Sequence, residues 1–216
     1  MTDSALAPVS RFRAALAPPM ARVLLVAVVA FALGGTTSLG QTLLAEEAAS
    51  LANSVTGWTV PTVALVVITA RSFTEAAVAG AVSFVALTGG YAVVSTLRGF
   101  PFDPTTWAVI GLLAGPVIGA ATFALRRSPA EAAVGGGLLA GVLIGEGAYG
   151  LTVIADTTSP VFWWAAITVG GVLLVIVAAL WLRDIRSTLV LVSLAGLTAA
   201  LFVVAYLALP AVFLLF

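Results

Sequence analysis

Charged positions are so sparse along this chain that they leave seven long uncharged stretches: Val23–Ala45, Ala48–Ala70, Ala76–Leu97, Pro104–Leu125, Ala132–Ala155, Thr157–Leu182 and Ser187–Phe216. Only the fifth contains an interior charge, Glu146. At about 1.5 Å of rise per residue, each is long enough for an α-helix to cross a hydrocarbon layer ~30 Å thick. A soluble helix of that length carries a polar face, and none of the seven does. The pattern predicts an all-α protein, a polytopic transmembrane bundle of seven helices read as one helix followed by three helical hairpins. The first apolar stretch follows Arg11, Arg13 and Arg22 but exceeds the ~7–15 residues of a cleaved signal core, so it reads as a retained signal-anchor helix. Residues 1–21, with Pro8, Pro18 and Pro19, are expected to form a disordered cytoplasmic tail. Residues 22–216 are expected to form a single transmembrane domain.

The arginines set an orientation. If seven helices alternate, Arg11, Arg13, Arg22, Arg71, Arg126, Arg127, Arg183 and Arg186 share one side, and only Arg98 takes the other. The positive-inside rule then puts the N-terminus in the cytoplasm and the C-terminus outside, as a multi-pass protein of a bacterial inner membrane. Trp58, Trp107, Trp163 and Trp164 would begin helices at the outer interface. Arg71, Arg127 and Arg183 recur every 56 residues, and Arg71–Gly80 matches Arg127–Gly136 at seven of ten positions. An internal repeat explains this; so does convergence on one helix start, because Ser72…Glu75 and Ser128…Glu131 both fit the S-x-x-E capping box. The third hairpin lacks the glutamate.

Composition narrows the chemistry. The chain is 62% hydrophobic with a mean hydropathy of +1.20, and its nine basic and nine acidic residues cancel. Nucleic acid is therefore not an implied partner, and the lipid bilayer is. Cysteine, histidine and lysine are all absent. Without them a retinal Schiff base, thiolate or imidazole metal sites and His- or Lys-based nucleophile systems lose their key groups. No cofactor, metal or catalytic residue is implied, and the chain is not expected to be an enzyme. The bias towards Ala, Gly, Val and Arg suits a GC-rich bacterial genome.

Glycines recur every fourth residue at Gly111, Gly115 and Gly119 and again at Gly137, Gly141 and Gly145. Such rows give smooth faces for close helix packing in lipid, and their places in one hairpin predict that they pack on each other. A glycine-lined pathway or a docking face for another subunit is the alternative. Glu146 is the leading candidate for a functional site, because an ionisable residue at that depth needs a compensating partner or cavity. Gly145 and Gly147 beside it leave room for a ligand or another backbone. It can contact a ligand or pair with Arg98. Tyr91, Tyr149 and Gln41 are the candidate hydrogen-bonding wall, gathered with other hydroxyls towards the outer half. The cytoplasmic halves are almost purely apolar, which suggests an outward-facing vestibule.

The segments Leu51-Ala52-Asn53-Ser54, Leu97-Arg98-Gly99-Phe100-Pro101-Phe102 and Gly145-Glu146-Gly147-Ala148-Tyr149 resemble an uncharacterised family of small actinobacterial multi-spanning membrane proteins, a domain of unknown function. The resemblance spans about Leu25 to Tyr206 and implies no activity. At fold level the chain is also similar to the substrate-binding components of energy-coupling-factor vitamin transporters. Those have six helices, and this chain departs from them in reading as seven and in having no clear Ala-x-x-x-Ala docking pair in its first helix.

The expected function is binding or transport of a small solute through an outer-leaflet polar cavity. The alternative is an accessory or scaffold subunit of a larger complex, with a membrane or cytoplasmic partner. Arg126-Arg127 and Arg183-Asp184-Ile185-Arg186 serve as topology anchors or as a docking point for such a partner or for anionic lipid.

Overall fold

A computed structural model describes residues 18–213; most of the expected tail, with Arg11 and Arg13, lies outside the described residues. The described chain is helical throughout, as the pattern predicts: α1 (Pro19–Leu43), α2 (Glu46–Ala49), a 3₁₀ turn (Ser50–Asn53), α3 (Val55–Thr69), α4 (Phe73–Leu97), α5 (Thr105–Ala124), α6 (Pro129–Thr152), α7 (Pro160–Trp181) and α8 (Ile185–Phe213). Six of these are long and apolar enough to cross a membrane. Their outward residues stay apolar, as at Leu24, Val28, Leu113, Val175 and Leu180, a surface that suits hydrocarbon rather than water.

The second apolar stretch departs from expectation. It is not one helix: Glu46–Asn53 and Val55–Thr69 meet at a 60° bend. With 15 residues, α3 rises only about 22 Å and falls short of a full crossing by itself. Asn53-Ser54 explains the break, since both side chains compete for backbone hydrogen bonds and favour helix starts over interiors.

The chain divides into two compact units. In the first (residues 1–38 and 61–120), α1 and α4 run parallel. Phe31 lies against Gly90 and Gly35 against Val94, so the two helices advance together. A Cβ on Gly34 would strike the Leu87 carbonyl, and one on Gly90 would strike that of Phe31. At the start of the pair, buried Arg22 donates to Glu75 at 2.5 Å. Two parallel helices joined by the intervening chain require that chain to return across the layer. Taken as one broken span, the bent segment Glu46–Thr69 is apolar enough to be that seventh pass.

α5 (up to residue 120) packs antiparallel on α4, with Gly111 at Phe84, Gly115 at Gly80–Ala81 and Gly119 at Ala76. The turn between these helices is closed by chemistry local to the chain. Gly99 takes φ +85°, while Phe100 N–H donates to Ser95 O (2.9 Å) and Gly99 N–H to Thr96 O (3.0 Å), the Schellman end of α4. Asp103 accepts from the Thr105 hydroxyl and amide at 2.6 and 2.9 Å, which holds its carboxyl below the usual range.

In the second unit (residues 39–60 and 121–216), α6 is the hub. It packs antiparallel on α7, with Gly147 at Trp163 and Ile167 and Gly170 at Ala140 and Leu143. It packs parallel on α8, with Gly137 at Leu191 and Leu194, Gly141 at Ala195 and Thr198, and Gly145 at Ala199 and Phe202. The expectation that the two glycine rows face each other is therefore overturned: each row has another partner. In the α5–α6 hairpin it is Gly135 that meets the last turn of α5, at Ala121 and Ala124. A row of glycines says that a backbone comes close, and sequence neighbourhood does not say whose.

Helix starts follow the predicted pattern with one difference. Ser128 and Glu131 form a complete capping box, with Pro129 at the first position of α6. At the related α4 start, Ser72 accepts from Glu75 N–H (3.2 Å), but the Glu75 carboxylate turns to Arg71 N–H and to Arg22. Trp164 is exposed as an interfacial residue would be. Trp163 is buried, its indole lying on Gly150 and its Nε1–H donating to Thr158.

Replacement of Gly119 by alanine would push a Cβ into the Ala76 carbonyl, whereas Gly171 has open space around its Cα. Gly119→Ala is expected to lower the melting temperature in detergent clearly. Gly171→Ala should leave the melting temperature unchanged or raise it, because alanine gains up to about 1 kcal/mol of helix propensity over glycine.

Candidate functional site

The break at Ser54 creates a problem of backbone chemistry. Ser54 is extended (φ −135°, ψ 154°), so α3 starts at Val55 with N–H groups that have no carbonyl one turn earlier. Water would satisfy them at a protein surface. Within hydrocarbon each unpaired group costs several kcal/mol.

Every one of these donors finds an acceptor. Gly57 N–H donates to Ser54 Oγ (2.9 Å), a side-chain cap of the usual kind. Trp58 N–H closes the first helical bond to Ser54 O at 3.2 Å. Val55 N–H donates to Glu146 Oε1 at 2.7 Å, and Thr56 N–H donates to Glu146 Oε2 at 2.5 Å. A carboxylate borne by α6 thus serves both remaining donors of α3, and its negative charge sits at the positive end of that helix's dipole. The entering chain folds over this start closely. A Cβ on Gly57 would collide with the Leu51 carbonyl, and Trp58 Nε1–H reaches back to Ala52 O (3.4 Å).

Glu146 is 3% exposed. Its flanking glycines serve packing rather than an open space: Gly145 admits the α8 backbone at Ala199, and Gly147 admits the α7 backbone at Trp163. Of the two uses foreseen for that room, a neighbouring backbone fills it. Around the carboxylate, Tyr206 of α8 lies within Coulomb range, and the Tyr206 ring packs against Tyr149 (centroids 5.2 Å apart) and Phe202 (4.5 Å). Thr56 and Thr59, three residues apart on one face of α3, are buried. Both hydroxyls lack a hydrogen-bond partner among the described residues. That of Thr56 turns towards the Glu146 carboxylate without closing a bond of good geometry.

Of the sequence-predicted residues, Glu146 and Tyr149 lie on α6, and half-buried Gln41 lies near the end of α1 in the same unit. Arg98 and Tyr91 belong to the other unit and are engaged there. Arg98 donates to the Ser38 carbonyl and, at 3.1 Å, to its hydroxyl, with its guanidinium 5.5 Å from the Phe100 ring. Tyr91 meets Phe102 edge to face at 4.8 Å. The sequence reading passed over the two threonines, the amides of Val55 and Thr56, and the Arg22–Glu75 pair. The Thr56/Thr59 spacing was a signal for the first. The amides and the ion pair leave no trace in sequence, because their partners lie 91, 90 and 53 residues away.

The three family-like motifs now have structural meanings: the break before α3, the glycine-closed end of α4, and the carboxylate that holds the break. The family's profile matches residues 13–211. The chain belongs to DUF6518, a family of unknown function. Neither the curated proteins nor the solved structures contain a match. Membership of DUF6518 agrees with the resemblance to an uncharacterised family and adds no activity to it.

Glu146→Ala would strand two buried amides and is expected to cost roughly 3–6 kcal/mol of stability. Glu146→Gln keeps one acceptor oxygen and should cost distinctly less. Chemical unfolding of the two variants in micelles measures the difference.

Proposed function

We propose that this integral membrane protein is a non-enzymatic component of a bacterial, actinobacterial-type inner membrane that binds or moves a small solute. The start of α3 is the binding element. One observation carries this reading: a helix interrupted within an apolar stretch, held by the only charged residue inside the seven apolar stretches. An uninterrupted apolar helix would need no such residue. Irregular backbone inside a membrane is tolerated where it is buried in protein or lines a cavity, and half-helix starts commonly hold anionic groups in transporters. In this reading Glu146 is the charged contact and Tyr149, with Tyr206 beside it, forms the polar wall.

A scaffold role is the second reading, and α8 favours it. It is the least buried of the six long helices, with Leu189, Val192, Leu197, Leu201 and Val204 all exposed, a face for lipid or for another subunit. Native mass spectrometry after mild extraction separates the two. A monomer that retains a small molecule supports solute binding. A stoichiometric protein partner with no small molecule supports the scaffold.

The arginine distribution supports a cytoplasmic N-terminus and an external C-terminus. Because the chain has no cysteine, single substitutions report topology directly. Thr157→Cys should react with an impermeant maleimide in intact cells. Arg126→Cys should react only after permeabilisation, and the reverse pattern would overturn the orientation.

A further inference from the structure

The start of α3 requires one negative group. Val55 and Thr56 direct two N–H donors at the same place, and Glu146 fills it. Among the described residues of this unit, no basic side chain is bonded to that carboxylate, and α3 and α7 contain no titratable residue at all. From α8 the facing titratable group is Tyr206, and from α6 itself it is Tyr149; Arg186 and Glu131 stand at the far ends of those helices. A second anion cannot join Glu146 there, since two carboxylates sharing one site without a cation repel strongly. Nor can Glu146 leave without a replacement, because the amides would be stranded in apolar surroundings. An exchange satisfies both conditions.

Two further groups point to what is exchanged. The Thr56 hydroxyl is buried and turned towards the carboxylate, with no hydrogen bond of good geometry among the described residues. A protonated Glu146 carries an O–H that needs an acceptor, and Thr56 Oγ1 offers one. The Thr59 hydroxyl, 3% exposed and without a partner among the described residues, lies one turn further along the same face. A buried polar group left idle in this way is costly unless it has a use.

Resting on the solute-binding reading above, we propose that the start of α3 is an exchange site for a small carboxylate taken up together with one proton. The proton neutralises Glu146, whose new O–H turns to Thr56. The ligand's carboxylate then accepts the N–H groups of Val55 and Thr56. Thr59 takes a second hydrogen-bonding group on the ligand, so hydroxy- or keto-acids fit better than simple fatty acids. The site carries one negative charge before and after, and the step is electroneutral.

Thermal-shift and calorimetric titrations of the full chain in nanodiscs test this, with lactate and pyruvate as probes and lactamide as the neutral isostere. Lactate or pyruvate should bind at pH 5 and weaken by up to about tenfold per pH unit as pH rises, as one coupled proton requires. Lactamide should not bind. Glu146→Gln, a mimic of the protonated acid, should bind the carboxylate with no such pH dependence. Thr59→Val should raise the ligand-free melting temperature, because it removes an idle hydroxyl, and should weaken lactate binding by roughly tenfold. A Glu146→Gln variant that keeps the wild-type pH dependence would overturn the proposal, as would carboxylate binding that strengthens with pH. Equal binding of lactate and lactamide overturns the exchange but leaves solute binding standing. No binding by either carboxylate at pH 5, with only a protein partner in the native spectrum, removes both.

Discussion

In hydrocarbon a backbone amide cannot fall back on water, and the rest of this structure follows from how that demand is met at one place. α3 starts inside an apolar stretch, so its first donors had to find acceptors in the protein. Ser54 supplies one within its own turn. The two others require a group from outside the helix, and a carboxylate is the one side chain that accepts both while also matching the helix dipole. Glu146 therefore ties α6 to the bend, and the bend holds only while that tie does. Burial of an ionised group is expensive, but here its two oxygens are each used by a short charge-assisted bond. The same cost that argues against a charge at this depth becomes the reason it stays.

Close backbone packing makes that tie geometrically possible. α6 brings glycines to both of its neighbours, so that α7 and α8 lie against its backbone on either side of Glu146. Larger residues at Gly145 or Gly147 would push those helices outward and take the α6 register with them. Within the other unit, glycines at 34, 80 and 90 do comparable work for α1, α4 and α5. Packing of this kind gains from contact area and loses to a single misplaced methyl, because lipid provides no hydrophobic drive towards the helix interface.

Much of this was legible in the sequence. Six of the seven uncharged stretches form single long helices, and the Ser128…Glu131 box appears where predicted. The depth of Glu146 marked it as the residue to explain. Two things were not legible. The break at Asn53-Ser54 sits inside a stretch whose hydropathy alone reads as continuous, and its polar signal is only two small side chains. The partners of the glycine rows depend on which helices run parallel, and hydrophobicity does not encode that. Phe31 against Gly90 and Gly137 against Leu191 join helices that are not sequence neighbours in any hairpin. Hairpin logic looks only at the next helix; it serves for α4 and α5, but α1 and α4, and α6 and α8, approach across the helices between them.

Two acids hold helix starts, half-buried Glu75 and buried Glu146, and their settings differ. Glu75 and Glu146 each accept backbone N–H groups at a helix start: Glu75 takes Arg71, and Glu146 takes Val55 and Thr56. Glu75 also has the Arg22 guanidinium at 2.5 Å, so its charge is matched by a full opposite charge and is fixed in place. Glu146 has amides and phenols around it and, among the described residues of its own unit, no basic side chain bonded to it. A carboxylate matched by dipoles has no ion-pair partner that protonation would leave behind, whereas Glu75 is tied to the Arg22 guanidinium. The chain thus separates an ionic clasp between α1 and α4 from a carboxylate held by backbone amides.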